Sequence, residues 1–345
     1  MKYFFSVLVS VLVLGYAQAG NASHGFSKSS LAFNPCVVVV PISNMNICDG
    51  TNVALTVFNS APVGATYTWT NSEPSIGLAA AGAGDLPAFT ATNPGLVAVF
   101  ANISVTPTLG ACVGAVMNFT IIVKPRPQIT AGAPPNQTVC PGNVTIGSAL
   151  TSNLVGTSYS WSNSNTAIGM ASSSVGNTPA FAATNSGTVN ISGTITITPS
   201  SGGCAGNPAI FTVTVKPNPT VLGTANQSYC AGSVVPATVL SSSPPGASFT
   251  WTNSFTYNIG LGNSGVGNIP SFTSTNPVTF QVTNSLVVTP TLNGCTGPNA
   301  SYTVAIKNLP TVNLVSTKNV CNGTVAPPIV ISSPSVGTTF NWTNS

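Results

Sequence analysis

The stretch Tyr67-Thr68-Trp69-Thr70-Asn71-Ser72 returns three times along the chain. It reappears as Tyr159-Ser160-Trp161-Ser162-Asn163-Ser164, as Phe249-Thr250-Trp251-Thr252-Asn253-Ser254, and as Phe340-Asn341-Trp342-Thr343-Asn344-Ser345. These copies hold all 4 tryptophans, spaced by 92, 90 and 91 residues. So regular a period marks one module of about 91 residues repeated head to tail. Within each copy the aromatics stand at i and i+2, which puts both rings on one face of a β-strand and the small polar residues on the other. Trp69, Trp161, Trp251 and Trp342 are therefore expected as core aromatics, each the large ring around which one small domain packs.

A second signature follows each tryptophan. It runs Ile76-Gly77-Leu78, then Gly84-Asp85-Leu86-Pro87-Ala88-Phe89 and Thr92-Asn93. It recurs as Ile168-Gly169-Met170 with Gly176-Asn177-Thr178-Pro179-Ala180-Phe181, and as Ile259-Gly260-Leu261 with Gly267-Asn268-Ile269-Pro270-Ser271-Phe272. Gly-Asn or Gly-Asp before Pro is turn chemistry, and the Phe that follows is expected in the core. Alternating strands come next. Val97, Val99, Ala101, Ile103 and Val105 fall on one face; after a turn with Pro107, Gly110 and Cys112, so do Phe119, Ile121 and Val123. The later modules repeat this with Val189 to Ile197 and Phe211 to Val215, then with Phe280 to Val288 and Tyr302 to Ile306. Two alternating strands about a Gly-containing turn predict a hairpin. Its middle inward position is Ala101, Gly193 or Asn284, so a core group approaches closely there or the strand bulges.

Each module closes on a lysine and a proline-containing link: Lys124-Pro125-Arg126-Pro127, Lys216-Pro217-Asn218-Pro219 and Lys307-Asn308-Leu309-Pro310. Proline ends strand pairing and stiffens the joint. Many short strands between Gly, Pro, Asn and Ser turns, with no helical periodicity beyond the N-terminus, predict an all-β fold: tandem immunoglobulin-like β-sandwich modules in a linear array. The expected division is a signal peptide at 1–19, a leader at 20–45 that adds an edge strand to the first module, modules at 46–125, 126–217 and 218–308, and the truncated start of a fourth at 309–345.

Composition narrows the function. Charged residues are 3% of 345, against roughly 25% in ordinary proteins, while the apolar fraction of 43% is too high for a disordered chain. A net charge of +4 is too weak for a nucleic-acid partner. Lys2, the apolar run from Phe4 to Leu14 and Ala17-Gln18-Ala19 make a secretory signal peptide, cleaved after Ala19. The run is shorter than the ~20 residues of a membrane span, so no span is expected and the chain is secreted or displayed at the cell surface.

The acids are Asp49, Glu73 and Asp85 alone, and the one histidine, His24, lies in the leader. None of the acids recurs between modules. Glycosidase chemistry needs two flanking carboxylates, a calcium site several oxygen ligands, and a Ser-His-Asp site a histidine within the fold. No catalytic, cofactor or metal site is expected.

Taken together, Cys-x-Gly, the aromatic-x-Trp-Thr/Ser-Asn strand, Ile-Gly-Leu/Met, Pro-Ala/Ser-Phe and Val-Lys-Pro resemble the PKD-like, immunoglobulin-like repeats of large surface and secreted proteins of Bacteroidota. The resemblance covers about residues 46 to 345. It implies a non-catalytic structural or adhesive stalk facing an extracellular surface, with a polysaccharide or protein ligand that the sequence does not name. Two other functions compete. Carbohydrate-binding accessory modules of a secreted hydrolase would need exposed aromatics on a flat face. A fibre would use low charge and open sheet edges for lateral self-association.

Eight cysteines in an exported chain imply disulfides. One scheme closes each module on itself: Cys48–Cys112, Cys140–Cys204 and Cys230–Cys295, at separations of 64, 64 and 65. The other joins Cys112–Cys140, Cys204–Cys230, Cys295–Cys321 and Cys36–Cys48. A hairpin turn one strand-length from its module's exit, roughly 20–25 Å, is too far from the next module for a bridge needing Cα atoms within about 7 Å. The within-module scheme is therefore expected, provided no whole strand precedes Cys48 in its own module.

Overall fold

The computed structural model describes residues 36–254, 256–335 and 337–344. The expected signal peptide and His24 lie outside them. In the first repeat the strands are β1 (Val38–Val39), β2 (Met45–Cys48), β3 (Asn52–Val53), β4 (Ser60–Ala61), β5 (Thr66–Asn71), β6 (Ala81–Ala83), β7 (Phe89–Thr90), β8 (Val99–Leu109), β9 (Cys112–Val113) and β10 (Met117–Lys124). One sheet has the order β2-β10-β8-β5-β6, with β9 folded back on β8. Opposite it lie the pairs β1-β4 and β3-β7 and a single bridge between Thr56 and Leu86. The same large sheet recurs around Ser158–Asn163, Ile191–Ser201 and Ala209–Val215, and again around Ser248–Ser254, Val282–Leu292 and Ala300–Lys307.

Alternation explains the layers. Along β8, Ala101, Ile103 and Val105 are buried while their neighbours face out. On β10, Phe119, Ile121 and Val123 do the same. Trp69, Trp161 and Trp251 sit in three separate cores at 3%, 4% and 4% exposure. The fold is thus all-β, a set of tandem immunoglobulin-like sandwiches. The fourth aromatic departs from expectation. Trp342 is 76% exposed, because among the described residues after Lys307 no strand closes over it.

The repeated polar residues hold the turns. Asn163 Nδ2 donates to the carbonyls of Asn165 (2.9 Å) and Met170 (3.1 Å), while its Oδ1 accepts from Asn165 N at 3.1 Å. Asn71 does the same for Leu78 O (3.0 Å) and Glu73 N (2.9 Å). This amide and Ile168 crowd the middle of the hairpin: a Cβ at Gly193 would come 2.6 Å from both Asn163 Oδ1 and Ile168 Cδ1. The turn it clasps ends on Ile168-Gly169, where φ of +100° suits glycine. A second asparagine, Asn93, donates to Val97 O (2.9 Å) and Val123 O (2.7 Å). That clasp holds residue 97 in a loop, so β8 begins at Val99 and Val97 is exposed, as are Val189 and Phe280. The expected inward run is one position shorter at its start in each repeat.

Candidate functional site: the bridged joints

All three acids are spent on backbone N–H groups. Asp85 Oδ1 accepts from Phe58 N (2.9 Å), as Asn177 Oδ1 accepts from Leu150 N (3.0 Å) and Asn268 Oδ1 from Leu240 N (2.9 Å). Asp49 Oδ1 accepts from Asn93 N (2.7 Å), and Glu73 Oε1 from Ser75 N (3.4 Å). Asn165, the counterpart of Glu73, accepts from Ala167 N at 3.1 Å. An amide oxygen serves as well as a carboxylate in this task, which is why the acids do not recur. Among the described residues, no three His, Cys, Asp or Glu gather in one place.

The chemistry that does gather is at the joints, and it corrects the expected pairing. The disulfides are Cys48–Cys204, Cys140–Cys295 and Cys36–Cys112, not Cys48–Cys112, Cys140–Cys204 or Cys230–Cys295. The reason is β2. It runs parallel to β10, with Met45 opposite Ile121 and Cys48 opposite Lys124. A strand therefore does precede Cys48, and it carries that cysteine to the pole where its module ends. The turn bearing Cys112 is at the other end of β10, whose 8 residues at ~3.3 Å span about 25 Å. No bridge closes over that distance. Cys48 instead meets the hairpin turn of the following module, where Cys204 lies at a Cα–Cα distance of 5.6 Å. Cys140 meets Cys295 in the same way at 5.5 Å.

A lysine reinforces each bridge. Lys124 Nζ donates to Gly202 O at 2.8 Å, and Lys216 Nζ to Asn293 O at 2.7 Å. Both acceptors are in the hairpin turn that carries the bridged cysteine. The Asp49 N–H binds Lys124 O at 2.8 Å, fixing cysteine and lysine side by side. Between the first two modules this leaves a cleft of about 430 Å³, lined by Leu96, Ala98 and Pro125 from one side and Leu154, Val155 and Ser201 from the other. The hairpin also packs on the link itself. A Cβ at Gly206 would fall on the Pro127 carbonyl, and one at Gly297 on that of Pro219.

In the first module Cys36 takes the part that the preceding module's cysteine plays at the later joints. It stands just before β1, where Arg126 and Asn218 stand before the first strands of the later modules, and it bridges Cys112 at 6.5 Å. Cys230 and Cys321 are free and exposed. No helix of the described residues is long and apolar enough to cross a membrane.

Residues 137–219 match the family of PKD-like domains. The PKD-like stretch is the second repeat, and the first and third share its strand order and signatures. Among solved structures, the I-band fragment I67-I69 from titin is similar at 12% identity and a TM-score of 0.41, covering 80% of this chain and 99% of that one. Mouse cadherin-23 EC22-24 is similar at 11% identity and 0.30, covering 80% and 99%. No curated protein matches the chain. The chain thus carries tandem immunoglobulin-like repeats, of which the second matches the PKD-like domain family.

Proposed function

We propose that this chain is a non-catalytic stalk segment of a secreted or cell-surface protein, built to transmit or resist tension. The observation that carries this reading is the pair of bridges that cross from one PKD-like module to the next. A bridge within a module stabilises that module; one between modules fixes their relative placement. Each closes a loop of 156 or 155 residues, which in the chain-entropy picture stabilises by about 5 kcal/mol. Disulfides of this kind belong to an oxidising compartment, in keeping with export by residues 1–19 and with the resemblance to Bacteroidota surface proteins. As modules we take 36–125, 126–217 and 218–308, the first including β1.

The rival carbohydrate-binding reading places the tryptophans on a sugar platform, and the burial of Trp161 speaks against it. Small-angle scattering tests the stalk. The oxidised chain should scatter as a stiff rod one module thick, and reduction should add bending at the joints without unfolding the modules. A compact particle, or scattering unchanged by reduction, would count against this function.

A further inference from the structure

We propose that the pole of the third module is a prepared docking face for another module of the same kind, and that Cys230 closes a disulfide with that module's hairpin cysteine. The register is the first support. Cys230 lies opposite Lys307 as Cys48 lies opposite Lys124, and Ala231 N donates to Lys307 O at 2.8 Å as Asp49 N does to Lys124 O. Exposure is the second. Cys48, Cys140, Lys124 and Lys216 are half-buried under a neighbouring hairpin, whereas Cys230 and Lys307 are exposed.

A third and independent observation identifies the occupant. Residues 333–335 and 337–339 already sit on this pole as residues 152–155 of the second module sit on the first. Thr338 Oγ1 donates to Ser335 O (2.7 Å) and approaches Ser333 Oγ (3.2 Å), repeating Thr157 with Leu154 O (2.7 Å) and Ser152 Oγ (3.0 Å). Pro334 and Ser335 line a cleft with Lys307 and Asn308, as Asn153 and Leu154 do with Lys124 and Pro125. Asn308 Nδ2 reaches Ser335 Oγ at 2.6 Å. Cys321 begins the same turn as the earlier cysteines: Thr324 N donates to Cys321 O at 3.2 Å, as Thr51 N does to Cys48 O at 3.1 Å. At the two bridged joints the cysteine of this turn pairs with a hairpin cysteine and not with another turn cysteine, so Cys321 is not the partner of Cys230.

Bridge formation is written as exchange. Glutathione disulfide first converts the incoming thiol to a mixed disulfide, releasing one glutathione thiol. The Cys230 thiolate then attacks that sulfur and expels the second glutathione thiolate. The two cysteines lose two electrons and two protons, and one glutathione disulfide becomes two thiols.

The test extends the full chain after Ser345 with a copy of residues 255–308, which completes a fourth module in register. After refolding in a glutathione redox pair, peptide mapping without reduction should link Cys230 to the copied Cys295, leaving Cys321 open to alkylation. Linkage of the copied cysteine to Cys321, or a Cys230 that still alkylates once Trp342 fluorescence shows a folded fourth module, would overturn the proposal. Should Trp342 stay wet, the unextended chain decides. A peptide of residues 286–304, carrying Cys295 as its glutathione mixed disulfide, should react at Cys230 at least about tenfold faster than at Cys321. Equal rates would overturn the proposal.

Discussion

Pulling the oxidised chain from its two ends should scarcely lengthen it between Cys36 and Cys295, even when every sheet gives way. Cys295 follows Cys36 by 259 residues, which at ~3.5 Å each stretch to about 900 Å. The covalent short cut is much shorter. It crosses from Cys36 to Cys112, follows the chain for 28 residues to Cys140, and crosses again to Cys295. Those residues reach about 100 Å, and the two crossings add 6.5 and 5.5 Å. Strands of 11 residues are about 36 Å long, so the two modules that lie between these cysteines already take up about 70 Å of this limit. Optical-tweezers contour lengths, with handles at the chain ends, measure it. Reduction should release roughly 800 Å. Replacing Cys140 and Cys295 by serine reroutes the path through Cys48–Cys204 and about 100 residues, releasing roughly 250 Å. Removing Cys48 and Cys204 instead should release nothing, because the short cut does not use them. Equal gains from both double variants, or an oxidised wild-type chain that lengthens like the reduced one, would refute the reasoning.

Other outcomes follow from single residues. Asn163→Ala removes an amide that serves three carbonyls and one N–H; the second module should lose about 2–4 kcal/mol, read as a lower unfolding midpoint. Gly206→Ala places a methyl on the Pro127 carbonyl and should destabilise by at least about 1–3 kcal/mol. Gly262→Ala, with open space around it, should leave the denaturation curve almost unchanged. Tyr302 stands where Phe119 and Phe211 stand in the other cores, and burial raises its phenol above the ordinary value of 10.0. The folded state then holds this proton more tightly than the unfolded one. Its contribution is complete below pH 10.0 and is lost as pH rises through the higher folded value. The third module should therefore loosen first in alkali by circular dichroism, and Tyr302→Phe should abolish that difference.

Much of the fold was legible because a period of two and a repeat of about 91 residues are both written in side chains. The buried indoles, the hairpin and the turn role of Asp85 follow from lining up the copies. The joints were not legible by the same means, because the pole that Cys48 occupies depends on a parallel pairing between β2 and β10 that no turn announces. A signal was present nonetheless. Met45 and Ile47, Gln137 and Val139, and Gln227 and Tyr229 alternate just before each cysteine. That pattern marks a strand that ends on the cysteine, and a strand is long enough to carry it to the far pole. Trp342 teaches the converse, since a core motif without partner strands stays in water.

Bridges between modules, rather than within them, are the claim on which the mechanics and the docking face both depend. Mass spectrometry of the native chain, alkylated and digested without reduction, reads them directly. The structure predicts peptides joined through Cys48–Cys204 and Cys140–Cys295, with Cys230 and Cys321 alkylated. Peptides joined through Cys48–Cys112 and Cys140–Cys204 would contradict it.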